Sequence, residues 1–120
     1  MMKSVKTIID QLASESGRNA KIAILEENKG NELLKEVIRL ALDPFTNFYI
    51  KKIPEYLPQN TPSSSLGDAL DTFLPDLANR VVTGNLAIDA LRDKLASLPE
   101  AEAEVLKLVI AKDLKCGVQA

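Results

Sequence analysis

Histidine and tryptophan are absent from this chain of 120 residues, and cysteine occurs once. Without an imidazole, the commonest general base and the commonest metal ligand are both missing. A single thiol, Cys116, can form neither an intramolecular disulfide nor a thiolate metal cluster, and it suits a reducing compartment. The five glycines, at 17, 30, 67, 84 and 117, are too scattered for either standard phosphate-loop spacing. No run approaches the ~20 apolar residues needed to cross a bilayer, and the opening Met1-Met2-Lys3-Ser4-Val5-Lys6 leads into no apolar signal core. These absences predict a soluble intracellular chain with no membrane role, no metal site and no catalytic residues.

Aromatics are also scarce, with three Phe and two Tyr, although 46% of residues are hydrophobic. The core must therefore be built from Leu, Ile, Val and Ala, a palette that favours helices. The length suits one domain over 1–120. Net charge is −2, which opposes nucleic-acid binding overall, but residues 65–104 hold eight acidic groups against three basic ones, and residues 105–120 three basic against one acidic. Local fields decide what a patch binds.

Val5, Ile8, Ile9 and Leu12 predict a first helix over 4–15, closed by Ser16-Gly17. A second helix spans 19–28, and Asn31 caps a third, striped by Leu34, Val37, Ile38 and Ala41 and ended by Pro44. The aromatic segment 45–53 reads as a short helix turning Phe45, Phe48 and Tyr49 inward, and the stretch from Pro54 through Pro62 to Ser65 reads as a loop. Ser65 and Asp68 have capping-box spacing before a helix carrying Leu66, Leu70, Phe73, Leu77 and Val81 on one face, with a kink expected at Pro75. A helix over Leu86–Leu95 and a last one from Pro99 to about Lys115, capped by Gly117, complete an all-α fold of about six to seven helices.

The segment from Gly17 to Leu25 resembles that from Gly84 to Leu91, and Leu34-Lys35-Glu36-Val37-Ile38 resembles Leu106-Lys107-Leu108-Val109-Ile110. Two related helical hairpins are therefore expected. A glycine turn entering a helix exposes backbone N–H groups that suit a phosphate. The plainer alternative is that Gly17 and Gly84 only terminate the preceding helices. Asp68, Asp71 and Asp76, like Glu100, Glu102 and Glu104, read as solvated carboxylates near helix starts rather than metal ligands, and Cys116 reads as a packing residue.

Four blocks in collinear order carry a family resemblance: Ala23 through Lys35, Tyr49-Ile50-Lys51-Lys52, Thr83-Gly84-Asn85-Leu86-Ala87-Ile88, and Val105-Leu106 through Asp113-Leu114-Lys115-Cys116-Gly117. In these the chain resembles the N-terminal DNA-binding domain of ATP-dependent DNA ligases of the T-even bacteriophage type. The resemblance implies non-sequence-specific binding of nicked duplex DNA in replication, repair and recombination. It further implies ligase catalytic domains in cis, ATP and Mg as cofactors of the full-length enzyme only, a monomer, and a bacterial or phage-infected host cytoplasm. The family's nucleophile lies in a Lys-x-Asp-Gly motif that this chain lacks, Lys112-Asp113 having the wrong spacing. The chain is thus expected to be inactive alone, as a fragment or a stand-alone version of that first domain.

Carried over by position, Thr83, Gly84, Asn85, Lys112, Lys115 and Gly117 are the expected contacts to the DNA backbone, and glycine and lysine are residue types that suit close approach and charge neutralisation. Lys51 and Lys52 are added as solvent or phosphate-facing cations, and Arg18 and Lys21 from the repeat alone. At Asp43-Pro44-Phe45 the chain departs from the basic, glycine-containing turn of the phage type, so no contact is carried over there. The competing reading is a helical protein-interaction adaptor docking a basic partner through the acidic 65–104 region.

Overall fold

The computed structural model describes residues 5–15, 17–43, 45–50, 52–58, 63–112 and 114. Six helices and no strand occur among them: α1 (Val5–Ser14), α2 (Arg18–Glu27), α3 (Glu32–Leu42), α4 (66–78), α5 (Gly84–Ser97) and α6 (Glu100–Ile110). The apolar residues of α1 recur at helical spacing, and Val5, Ile8, Ile9 and Leu12 are all buried. In α3 the same periodicity buries Leu34, Val37, Leu40 and Ala41. Asn31 starts that helix by accepting the Leu34 N–H at 3.0 Å.

α6 is the axle of the domain. Ala103, Val105, Leu106, Val109 and Ile110 are buried on it, and it packs against α1, α3, α4 and α5. α2, by contrast, buries no residue fully and rests chiefly on α1. The α2–α3 and α5–α6 pairs are therefore held differently, since α5 buries Ala87, Leu91 and Leu95.

Ser65 caps α4 as its spacing predicts, its hydroxyl accepting the Asp68 N–H at 3.2 Å. The Leu66 N–H is taken by Glu102 Oε1 of α6 at 2.7 Å, so this carboxylate ties two helix starts together rather than standing in solvent. At Pro75 the helix widens: a π-helical turn over Ala69–Phe73 precedes the proline, with Leu74 N–H donating to the Ala69 carbonyl. A proline inside a helix lacks a donor and crowds the carbonyl four residues back, and the wider turn relieves both.

Three expectations are corrected. Residues 45–50, 52 and 53, expected as a short helix, form instead an irregular strap that continues through 54–58, where a loop was expected. Tyr49 sits at φ 60, outside the right-handed helical region, and a run of Phe, Thr, Tyr and Ile ahead of Pro54 has weak helix preference. On this strap only Phe48 is buried, at 3% exposure, whereas Phe45 is 93% and Tyr49 57% exposed. Val81 lies beyond the end of α4 and is 70% exposed rather than part of the core stripe. Finally, α6 stops at Ile110 because Lys112 turns left-handed, at φ 62, and the cap expected at Gly117 lies outside the described residues.

Candidate nucleic-acid interface

α4 ends in a turn that normally belongs to glycine. Val81 N–H reaches back to the Asp76 carbonyl at 2.9 Å and Arg80 N–H to the Leu77 carbonyl at 3.1 Å, the paired bonds that close a helix through a left-handed residue. That residue is Arg80, at φ 57. Forcing a side-chain-bearing residue into this region costs about 1–2 kcal/mol. The guanidinium lies over the Tyr49 ring, 4.4 Å from its centre, and Tyr49 is itself left-handed at φ 60.

Lys112, at φ 62, completes the set of described non-glycine residues with positive φ. All three, together with Asn47, Phe48, Ile50, Ile110 and Ala111, line one open cleft of ≈ 690 Å³. Residues held in such conformations persist only where their surroundings fix them, and they cluster at functional sites. The strap, the end of α4 and the end of α6 thus converge on a single strained, cationic cleft.

Within it, Lys112 is already engaged. Its ammonium donates to the carbonyls of Leu40 at 2.5 Å and Asp43 at 2.6 Å, the last acceptors of α3, and lies 5.6 Å from the Phe48 ring centre. Burial pushes its pKa below the usual lysine range, partly offset by the Asp43 carboxylate. Asp43 is in turn held below the ordinary carboxylate range, first by the Thr46 hydroxyl at 2.7 Å and then by the Phe45 N–H at 2.9 Å. Lys112 therefore fastens the end of α6 to the end of α3.

Four residues beyond Arg80, Gly84 opens α5 at φ +61 with open space where a Cβ would stand. Thr83 precedes it in extended conformation and makes no side-chain cap, so the first-turn amides of Gly84 and Asn85 face outward with no partner among the described residues. Thr83, Gly84 and Asn85 are exposed, as is Leu86 at 73%. This turn and Arg80 of the cleft lie on one short connection between α4 and α5.

The remaining candidates are dispersed. Lys21 donates to the Leu12 carbonyl at 2.8 Å, closing the end of α1, while Arg18 is exposed at the start of α2. Lys52 is exposed on the strap, and Lys51, Lys115 and Gly117 lie outside the described residues. Of the eight acidic residues of 65–104, four are engaged within the chain: Asp68 with Lys94 at 3.6 Å, Asp89 with Arg92 at 3.0 Å, Glu104 with Lys107 at 2.8 Å, and Glu102 with the Leu66 N–H. Among the described residues, no group of three or more Cys, Asp or Glu converges to hold a metal ion. Sequence reasoning passed over Arg80 entirely and assigned Tyr49 to the core. The one available signal was a helix end at Asn79-Arg80 with no glycine to close it.

Fold and site together define an all-helical domain built around a cationic, conformationally fixed cleft. The chain is 40% identical over 112 residues to the DNA ligase of Enterobacteria phage T4, and equally to that of Enterobacteria phage T6, a match covering 92% of this chain and 23% of each ligase. The solved structures Pmar-Lig_PreS3 and Pmar-Lig_Pre. match 98% of this chain, each with a TM-score of 0.85 and 30% sequence identity, and 28% of their own length is covered. No family model matches. The chain is homologous to phage T4 and T6 DNA ligases and spans about a quarter of the length of these relatives.

Proposed function

We propose that this chain is the DNA-gripping domain of an ATP-dependent ligase, binding duplex DNA around a nick without regard to sequence. The observation that carries this reading is homology to DNA ligases over a helical segment lacking the Lys-x-Asp-Gly nucleophile, so the shared segment serves holding rather than chemistry. The exposed Thr83–Asn85 turn beside the cationic cleft supplies groups that suit phosphates: outward amides and a guanidinium. Catalytic domains joined in cis would carry ATP, Mg²⁺ and the sealing steps of replication, repair and recombination. The reading includes action as a monomer in a phage-infected or bacterial cytoplasm; no helix among the described residues is long and apolar enough to cross a membrane. Against the adaptor alternative, four of the eight carboxylates of 65–104 are engaged within the chain.

The test is titration of the full 120-residue chain with fluorescent nicked duplexes of two unrelated sequences at several salt concentrations. Equal affinity for both sequences is expected, with log affinity falling by about 0.9 per phosphate neutralised for each decade of salt. Binding that stays flat from low to moderate salt, or no binding at all, rejects the reading.

A further inference from the structure

We propose that Arg80, steadied by Tyr49, is a phosphate-contacting residue of the duplex-binding surface, an inference that rests on the function proposed above. Three observations lead to it. First, the closing position of α4 needs only a residue tolerant of positive φ, and glycine meets that need without strain. Arginine there is a structural disadvantage, so its side chain must be what the position serves.

Second, the guanidinium has no carboxylate partner among the described residues. Arg39 pairs with Glu36 and Arg92 with Asp89, both on the preceding helical turn. Arg80 points instead onto an aromatic face. A guanidinium lying over a ring face can stack on it and keep its edge, a fork of N–H donors, for another partner. That fork matches the paired oxygens of a phosphate.

Third, Tyr49 occupies a left-handed conformation of its own and remains 57% exposed. A tyrosine needed for packing would be buried, as Phe48 is. Two strained residues from separate segments meet each other and the solvent, and the ring limits the rotamers open to a long, otherwise mobile side chain. Pre-ordering of this kind lowers the entropic cost of a contact.

Three variants test the proposal in the nicked-duplex assay: Arg80→Gly, Arg80→Lys and Tyr49→Leu. Arg80→Gly is expected to raise the thermal midpoint, since it restores the preferred residue, yet weaken DNA on the order of tenfold and reduce the salt slope by about 0.9, the value for one phosphate. Arg80→Lys and Tyr49→Leu keep the charge, so each should weaken binding several-fold at an unchanged slope. Wild-type affinity and slope in Arg80→Gly would overturn the proposal while leaving the domain's function standing. Wild-type affinity in both Arg80→Lys and Tyr49→Leu would overturn the stacked fork. Failure of the unaltered chain to bind would remove both readings.

Discussion

A lysine near a chain's basic end invites the assumption that its charge is available to a partner. Lys112 and Lys21 instead spend their ammonium groups on backbone carbonyls at helix ends, Leu40 and Asp43 for one and Leu12 for the other. Such cations satisfy acceptors that a helix leaves open and oppose the negative end of its dipole. Lys112→Met keeps the aliphatic stem but strands two carbonyls, and it should cost about 1–3 kcal/mol of stability. Urea unfolding followed by circular dichroism measures this, and an unchanged midpoint would show that the two bonds contribute nothing. The Lys112 bonds could not be read from the linear order, because their acceptors lie 72 and 69 residues away.

Among the elements, those whose boundaries depend on local periodicity were legible: α1 and α3 show their buried faces in the spacing of Val, Ile and Leu, and the Asn31 and Ser65 caps follow from residue type. The strap was misread because its aromatics were assumed to be needed inside, whereas Leu-rich helices already fill the core; of its rings only Phe48 is fully buried, with Tyr56 half-buried against the core. A left-handed Tyr49 or Arg80 has no signature in composition, since both are set by tertiary contacts. Glu102 shows the same limit: in sequence it is one of three alternating acids, yet in space it holds the first amide of α4 at 2.7 Å. Glu102→Ala should destabilise the fold by about 1–2 kcal/mol and speed hydrogen exchange at the start of α4. Unaltered exchange at Leu66 would show that the bond is dispensable.

For the molecule as a whole, stability should depend on acid in a definite direction. Arg39 holds Glu36 below the ordinary carboxylate range, and the Thr46 hydroxyl and Phe45 N–H do the same for Asp43. Both groups bind protons more weakly folded than unfolded, so their contribution is complete above the unfolded values of about 4 and fades as pH falls through the folded ones. Urea midpoints taken from about pH 6 to pH 3 should decline, and Asp43→Asn should lower the midpoint at pH 6 while making the decline shallower. Parallel declines in the two proteins would exclude Asp43 as a source.

The molecule is also thin, with extents of 42 × 34 × 22 Å, and its cleft lies where three separate stretches of chain finish. The turn at Arg80 is closed by its own backbone bonds before any partner arrives. A duplex meeting the Arg80 turn would find that turn already formed. Encounter would then be limited by diffusion and orientation rather than by loop ordering, and changes at Arg80 or Tyr49 should appear mainly in how long a complex lasts, not in how quickly it forms.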